Sequence, residues 1–128
     1  MPLVRIDLLP GYTPDNARGI CDGVHSALVE AVGIPVADRF QIVTRQPVDG
    51  LLFDTQYLGI HRTSGIVIIQ ITLSVGRTPA QKRALYTAIT HNLAAQANVR
   101  PEDVFINLVE VVKENWSFGN GIAQYAQE

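Results

Sequence analysis

The chain has little with which to build covalent or metal-held structure. Its single cysteine, Cys21, excludes an internal disulfide. The three histidines, His25, His61 and His91, lack the close spacing of a metal-ligand set, so no metal site is expected. Lysine and arginine never form a run, and the net charge is −2. That balance supplies no electrostatic footprint for nucleic acid or an anionic membrane. No apolar run is long enough to cross a bilayer, since the stretch 66–71 is interrupted by Gln70. The start lacks the basic segment and long apolar core of a secretory signal, and a cytoplasmic protein is expected. What is present is apolar material: 47% of 128 residues are hydrophobic. A single domain of this size can bury roughly two thirds of its unfolded surface.

The most informative feature is an internal repeat. Shifting the chain by 65 residues lays VRIDLLPGYTPDNAR over IQITLSVGRTPAQKR, matching Ile6 to Ile71, Gly11 to Gly76, Thr13 to Thr78, Pro14 to Pro79 and Arg18 to Arg83. The same shift brings Asp38 onto Asp103 and Phe40 onto Phe105. Agreement sustained at one offset argues for two copies of one supersecondary unit.

Punctuation defines each copy. Residues 3–9 are apolar with β-branched members, Gly11 turns the chain, and Thr13 before Pro14 forms a helix N-cap with proline in the first turn. Ile20, Val24, Leu28 and Ala31 recur at helical spacing until Gly33, with Pro35 as a stop signal. DRFQIVT then reads as a strand. The second copy repeats this order, with a strand over 66–73, a helix opened by Thr78 and Pro79, and a strand over 104–111. The reading is β-α-β twice in a single domain, with units of about 2–45 and 66–112. A turn-rich connector over 46–65, with room for short extended pieces, and a tail over 113–128 complete the chain.

A β-α-β crossover makes its strands parallel, so their starts lie at one sheet edge. Pro2 and Asp38 share such an edge. The ends of the second copy's strands also share one, which sets Arg77 near Trp116 and Phe118. Whether the two edges coincide depends on how the copies are arranged. A local twofold axis with antiparallel first strands would bring all five residues together.

The combination of PLVRIDL after the initiator methionine, GIPVADRFQ, VGRTPAQK and WSFGNG resembles the tautomerase superfamily over nearly the whole chain. The resemblance is greatest to its malonate semialdehyde decarboxylase branch. It implies an α/β fold of two β-α-β units related by pseudo-twofold symmetry, forming a four-stranded mixed sheet with helices on one face, assembled as a homotrimer. It also implies catalysis by an amino-terminal proline, here Pro2 after removal of Met1, without a cofactor. The substrate it implies is a small oxo acid.

Under that resemblance Pro2 polarises or attacks the substrate carbonyl, and Arg77 grips the carboxylate with its planar fork. Asp38 favours the charged amine or activates water. Trp116 and Phe118 wall the pocket, while Arg62 and Gln41 are binding residues that supply an ion pair and a hydrogen bond near the site. Family members of one kind carry two arginines at the turn after the strand, whereas SVGR has one, which leaves substrate preference open. Each residue also has an ordinary reading. Arginine after a strand serves as a solvated surface residue, aspartate favours turns, and lone aromatics pack in cores. Cys21, inside an expected helix, reads as a small buried hydrophobe.

The expected activity is decarboxylation of a 3-oxo acid, malonate semialdehyde to acetaldehyde and carbon dioxide, with hydration of acetylenic 2-oxo acids as a side reaction. The alternatives are keto-enol tautomerisation of a phenylpyruvate-like compound with neutral Pro2 as base, and a catalytically silent trimeric binding protein. A retained Met1 would make Pro2 a tertiary amide with no basic nitrogen and would favour the last.

Overall fold

The computed structural model describes residues 2–127. The expectation of Met1 removal concerns a residue outside that range.

Strand β1 spans Leu3–Leu8 and alternates, with Val4, Ile6 and Leu8 buried and Arg5 exposed. Helix α1 spans Pro14–Val32. Its N-cap is Thr13, whose hydroxyl accepts from the Asn16 amide at 3.1 Å. It ends where Gly33 takes φ 71°, a left-handed conformation that glycine adopts without a side-chain penalty. Strand β2, Gln41–Arg45, follows. In the second copy, β3 spans Val67–Ser74, α2 spans Pro79–Ala97 and β4 spans Val104–Val111. The α2 N-terminus is a full capping box, with Thr78 and Gln81 each bonding the other's amide.

The sheet order is β2-β1-β3-β4, with β1 and β3 antiparallel at the centre and each copy's own strands parallel. The register obeys the repeat. A shift of 65 residues carries the pair Val4–Ile71 onto Ile69–Ile6, and the pair Val4–Gln41 onto Ile69–Ile106. A local twofold axis therefore relates the copies and passes between β1 and β3.

Both helices cover one face of the sheet. Ile6, Ile69 and Ile71 meet Ile20, Leu28, Leu85, Ile89 and Leu93 there, all at most 1% exposed. Burying each such side chain contributes about 1.5–3 kcal/mol. The helices approach so closely that a Cβ on Gly19 would stand 2.6 Å from the Gln96 carbonyl oxygen. On the opposite face Leu9, Leu51 and Ile66 form a smaller cluster, with Phe53 and Ile68 packed against it.

One expectation is corrected. The second strand begins at Gln41 rather than Asp38, because the Asp38 amide closes a turn onto the Pro35 carbonyl at 3.0 Å. The connector holds no strand. It folds as single 3₁₀ turns at Val48–Gly50 and Tyr57–Gly59 and covers part of the open sheet face through Leu51 and Phe53.

Candidate active site

Main-chain register builds one end of the sheet. The Val4 amide donates to the Phe40 carbonyl at 3.0 Å, tying the start of β1 to the start of β2. On the other side Leu3 pairs with Thr72, so the antiparallel register leads Pro2 towards Leu73 and Ser74 at the end of β3. Ser74 in turn pairs with Val111, and the Val75 amide donates to the Val111 carbonyl at 2.9 Å. Three strand termini and the loop before β2 thus converge.

The turn after β3 reverses at Gly76, whose φ of 127° falls where side-chain-bearing residues are strained. It presents Arg77, half-buried, whose Nη1 donates to the Ser74 carbonyl at 3.1 Å. After β4 a single turn at Lys113–Asn115 brings the chain back, and the Trp116 indole Nε1–H donates to Ser74 Oγ at 3.0 Å. Trp116 stacks on Phe118 with centroids 5.4 Å apart and planes 10° apart. Phe118 also meets Phe40 at 6.2 Å and forms a T-shaped pair with Tyr125 at 4.8 Å. Gln124 pins this tail from both sides, accepting from the Phe118 amide and donating to the Gly119 carbonyl, each at 2.9 Å.

These elements enclose a cavity of about 220 Å³ lined by Pro2, Leu3, Phe40, Trp116, Ser117 and Phe118. Pro2 is buried. The cavity is smaller than the ~300–1,000 Å³ typical of sites for drug-sized ligands, and its walls are mainly aromatic. Of the seven residues singled out in the sequence, Pro2, Trp116 and Phe118 line it directly, and Arg77 donates to the carbonyl of Ser74, the residue whose hydroxyl holds Trp116. Asp38 sits half-buried in the loop two residues before Phe40. That loop is held to α1 by His25, whose Nε2 must carry the proton because its partner, the Val36 carbonyl at 2.7 Å, only accepts.

Gln41 and Arg62 are placed elsewhere. The Gln41 amide donates to the Cys21 carbonyl at 2.8 Å and accepts from Arg39 Nε at 3.0 Å, joining β2 to α1. Arg39 also reaches Asp22 at 2.7 Å, and this guanidinium holds the Asp22 carboxyl below its usual range. Arg62 donates to the carbonyls of Tyr57 and Ile60 within the connector. Cys21 is buried, and burial pushes its thiol pKa up, away from the reactive thiolate.

Sequence reading misses Phe40 as a wall residue, although it lies within the DRFQ motif. It also misses Ser74, Gln124 and Tyr125. Phe40 has a usable signal in its neighbour Asp38. Ser74 has none, because its partner lies 42 residues away.

The pseudo-twofold creates a counterpart at the opposite end of the sheet, a cleft of about 270 Å³ lined in part by Tyr12, Thr63, Gly65, Arg100 and Asp103. Asp103, the repeat partner of Asp38, is 2% exposed and accepts from the Thr63 amide at 2.7 Å, the Thr63 hydroxyl at 2.6 Å and Arg100 at 3.4 Å. Tyr12 donates its hydroxyl to the Gly65 carbonyl. At this end the matched positions serve as cross-links. Among the described residues no group of three His, Cys, Asp or Glu is placed to hold a metal, and no helix is long and apolar enough to cross a membrane.

A sheet of two β-α-β units about a local twofold, with a proline at the start of β1 inside an aromatic cavity, defines a tautomerase-like protein. Two family profiles, both described as tautomerase enzyme, match residues 38–119 and 2–58. The chain belongs to the tautomerase superfamily of enzymes. It is 36% identical to the probable tautomerase YusQ of Bacillus subtilis (strain 168) over 97% of this chain and 98% of that protein. Among solved structures it resembles a malonate semialdehyde decarboxylase inhibited by 3-bromopropiolate, with 41% identity and a TM-score of 0.90 over 96% of this chain and 93% of the other. A second malonate semialdehyde decarboxylase, described with decarboxylase and hydratase activities, matches at 32% identity and TM-score 0.90, covering 96% of this chain and 95% of the other.

Proposed function

We propose that the protein is a cofactor-independent decarboxylase of a small 3-oxo acid, malonate semialdehyde being the preferred candidate, with hydration of acetylenic 2-oxo acids as a side reaction. The observation that carries this reading is the enclosure of Pro2 by Phe40, Trp116 and Phe118, with Arg77 bound to the same serine that holds Trp116. Loss of carbon dioxide leaves an electron pair that must flow into the carbonyl, so a cation beside that oxygen lowers the barrier. Protonated Pro2, freed by removal of Met1, fills this role. Neutral Pro2 could instead attack the carbonyl and expel water, giving an iminium that accepts the same electron pair. Arg77 orients the departing carboxylate through its two-pronged fork. The aromatic walls exclude water and strengthen the interaction between Pro2 and the forming oxyanion. Asp38, in the loop that precedes β2, favours the charged amine.

The resemblance to two malonate semialdehyde decarboxylases supports this reaction. The name of YusQ favours a second reading, in which neutral Pro2 is the base of a keto-enol tautomerase. Two measurements decide. Intact mass establishes whether Met1 is absent, and NMR titration of a freed Pro2 nitrogen establishes its charge. Release of carbon dioxide from malonate semialdehyde with a cationic Pro2 at neutral pH is expected. A blocked nitrogen, or phenylpyruvate tautomerisation with a neutral nitrogen and no decarboxylation, would replace the proposal.

A homotrimer is part of the same reading. The sheet face away from the helices leaves Ile42, Phe105 and Val109 38–47% exposed beside polar Arg5, Gln70 and Asn107, a composition suited to burial between subunits. Light scattering should return three times the chain mass.

A further inference from the structure

We infer that Ser74 is the positioning residue of this site, holding its aromatic wall and its cation to one strand terminus. The inference rests on the cavity being the active site, as proposed above. Ser74 is the last residue of β3 and is 3% exposed. Its backbone is held by the β4 pairing at Val111, so its two oxygens have fixed positions. The side-chain oxygen accepts the Trp116 indole N–H at 3.0 Å, and the carbonyl oxygen accepts Arg77 Nη1 at 3.1 Å. The two contacts orient groups of opposite character. One sets the rotation of a ring that stacks on Phe118 against the cavity; the other aims a guanidinium from a turn.

The indole has a single donor and no acceptor, so a hydroxyl at this point selects one ring orientation among those that apolar packing would accept. Without the hydroxyl the ring can turn, and the Phe118 stack loses its partner plane. The reacting geometry then loosens although no group that touches substrate has changed, a displacement that costs catalysis steeply. Ser74 therefore acts through Trp116 and is not itself a catalytic residue.

Trp116 is the sole tryptophan, so its indole N–H gives one isolated resonance in a ¹H–¹⁵N spectrum. In Ser74→Ala that resonance should move upfield and exchange faster with solvent, in the absence of any substrate. Turnover of malonate semialdehyde should fall about 10- to 100-fold in kcat/KM. Ser74→Thr, which keeps the hydroxyl, should restore the resonance and most of the rate. Trp116→Phe should abolish the effect, so that the double variant Ser74→Ala/Trp116→Phe is no slower than Trp116→Phe alone. An unmoved indole resonance in Ser74→Ala, or fully additive losses in the double variant, would overturn the inference. If the parent protein fails to decarboxylate but the indole shift appears, the functional reading fails while the positioning contact stands. If the parent turns over normally and the shift is absent, the reverse holds. Circular dichroism and the urea midpoint of each variant establish that the comparison is made on folded protein.

Discussion

The carboxylate of Asp103 accepts both the amide and the hydroxyl of Thr63, at 2.7 and 2.6 Å, and so binds the start of β4 to the segment leading into β3. Asp38 occupies the matching place in the first copy, at the end of the sheet where Pro2, Trp116 and Phe118 meet. One repeated aspartate is thus committed to the scaffold, while the other lies in the loop two residues before the cavity residue Phe40. Removing Asp103 strips two half-buried donors of a charged acceptor and should destabilise the protein by about 1–3 kcal/mol. Urea unfolding of Asp103→Ala should show a lower midpoint with an unchanged slope; a change under about 0.5 kcal/mol, the scale of a surface substitution, would assign the aspartate to something other than cross-linking.

Tyr12 gives this end of the molecule a pH signature. Burial, and then the charge of Asp103, pushes its hydroxyl from 10.0 up to about 12. The folded state therefore holds the proton where the unfolded state has released it. Its contribution to stability is complete below pH 10.0 and is lost as pH rises to about 12. In Tyr12→Phe the fall of the urea midpoint over that interval should be shallower than in the parent. Parallel curves would mean that Tyr12 titrates alike in both states.

Gly19 is required by the helix pair rather than by backbone conformation. Alanine favours an isolated helix by about 1 kcal/mol over glycine. Here its Cβ would press on the Gln96 carbonyl, a rigid main-chain atom, at 2.6 Å. Overpacking of this kind costs about 1–3 kcal/mol. Gly19→Ala should lower the thermal midpoint, and an increase would show that the helices separate freely.

The candidate chemistry predicts two different kinetic losses. Pro2→Ala should reduce decarboxylation by about 100-fold or more, the scale of a lost proton-transfer or polarising group. Arg77→Ala should raise KM and lower kcat together, since carboxylate grip and orientation are both removed, and Arg77→Lys should recover charge without the fork. Steady-state kinetics on protein of verified amino terminus separates these. Near-parental turnover in Pro2→Ala would remove proline from the mechanism, and an unchanged KM in Arg77→Ala would release the guanidinium from its role.

How much is legible in the sequence follows from the range of the interactions. Thr13, Pro14 and Gly33 bound α1, and Thr78 with Pro79 opens α2, because caps act within a turn of the chain and are written in consecutive residues. The 65-residue repeat announces the twofold as a pairing of copies, and the resemblance supplies its antiparallel sense. The second strand starts late because the turn from Pro35 to Asp38 competes locally with strand pairing. Gln41 and Arg62 are legible as polar residues near matched motifs, yet their partners are Cys21, Arg39, Tyr57 and Ile60.

The amino-acid order alone determined the two β-α-β units, both helix starts and the end of the first helix, since these depend on periodicity and neighbouring side chains. Tertiary structure alone decided that Ser74 meets Trp116, that Phe40 joins the cavity wall and that Asp103 is consumed by Thr63. Those contacts join residues tens of positions apart. Their geometry depends on strand register and on how the chain returns after β4, neither of which any local run of residues encodes.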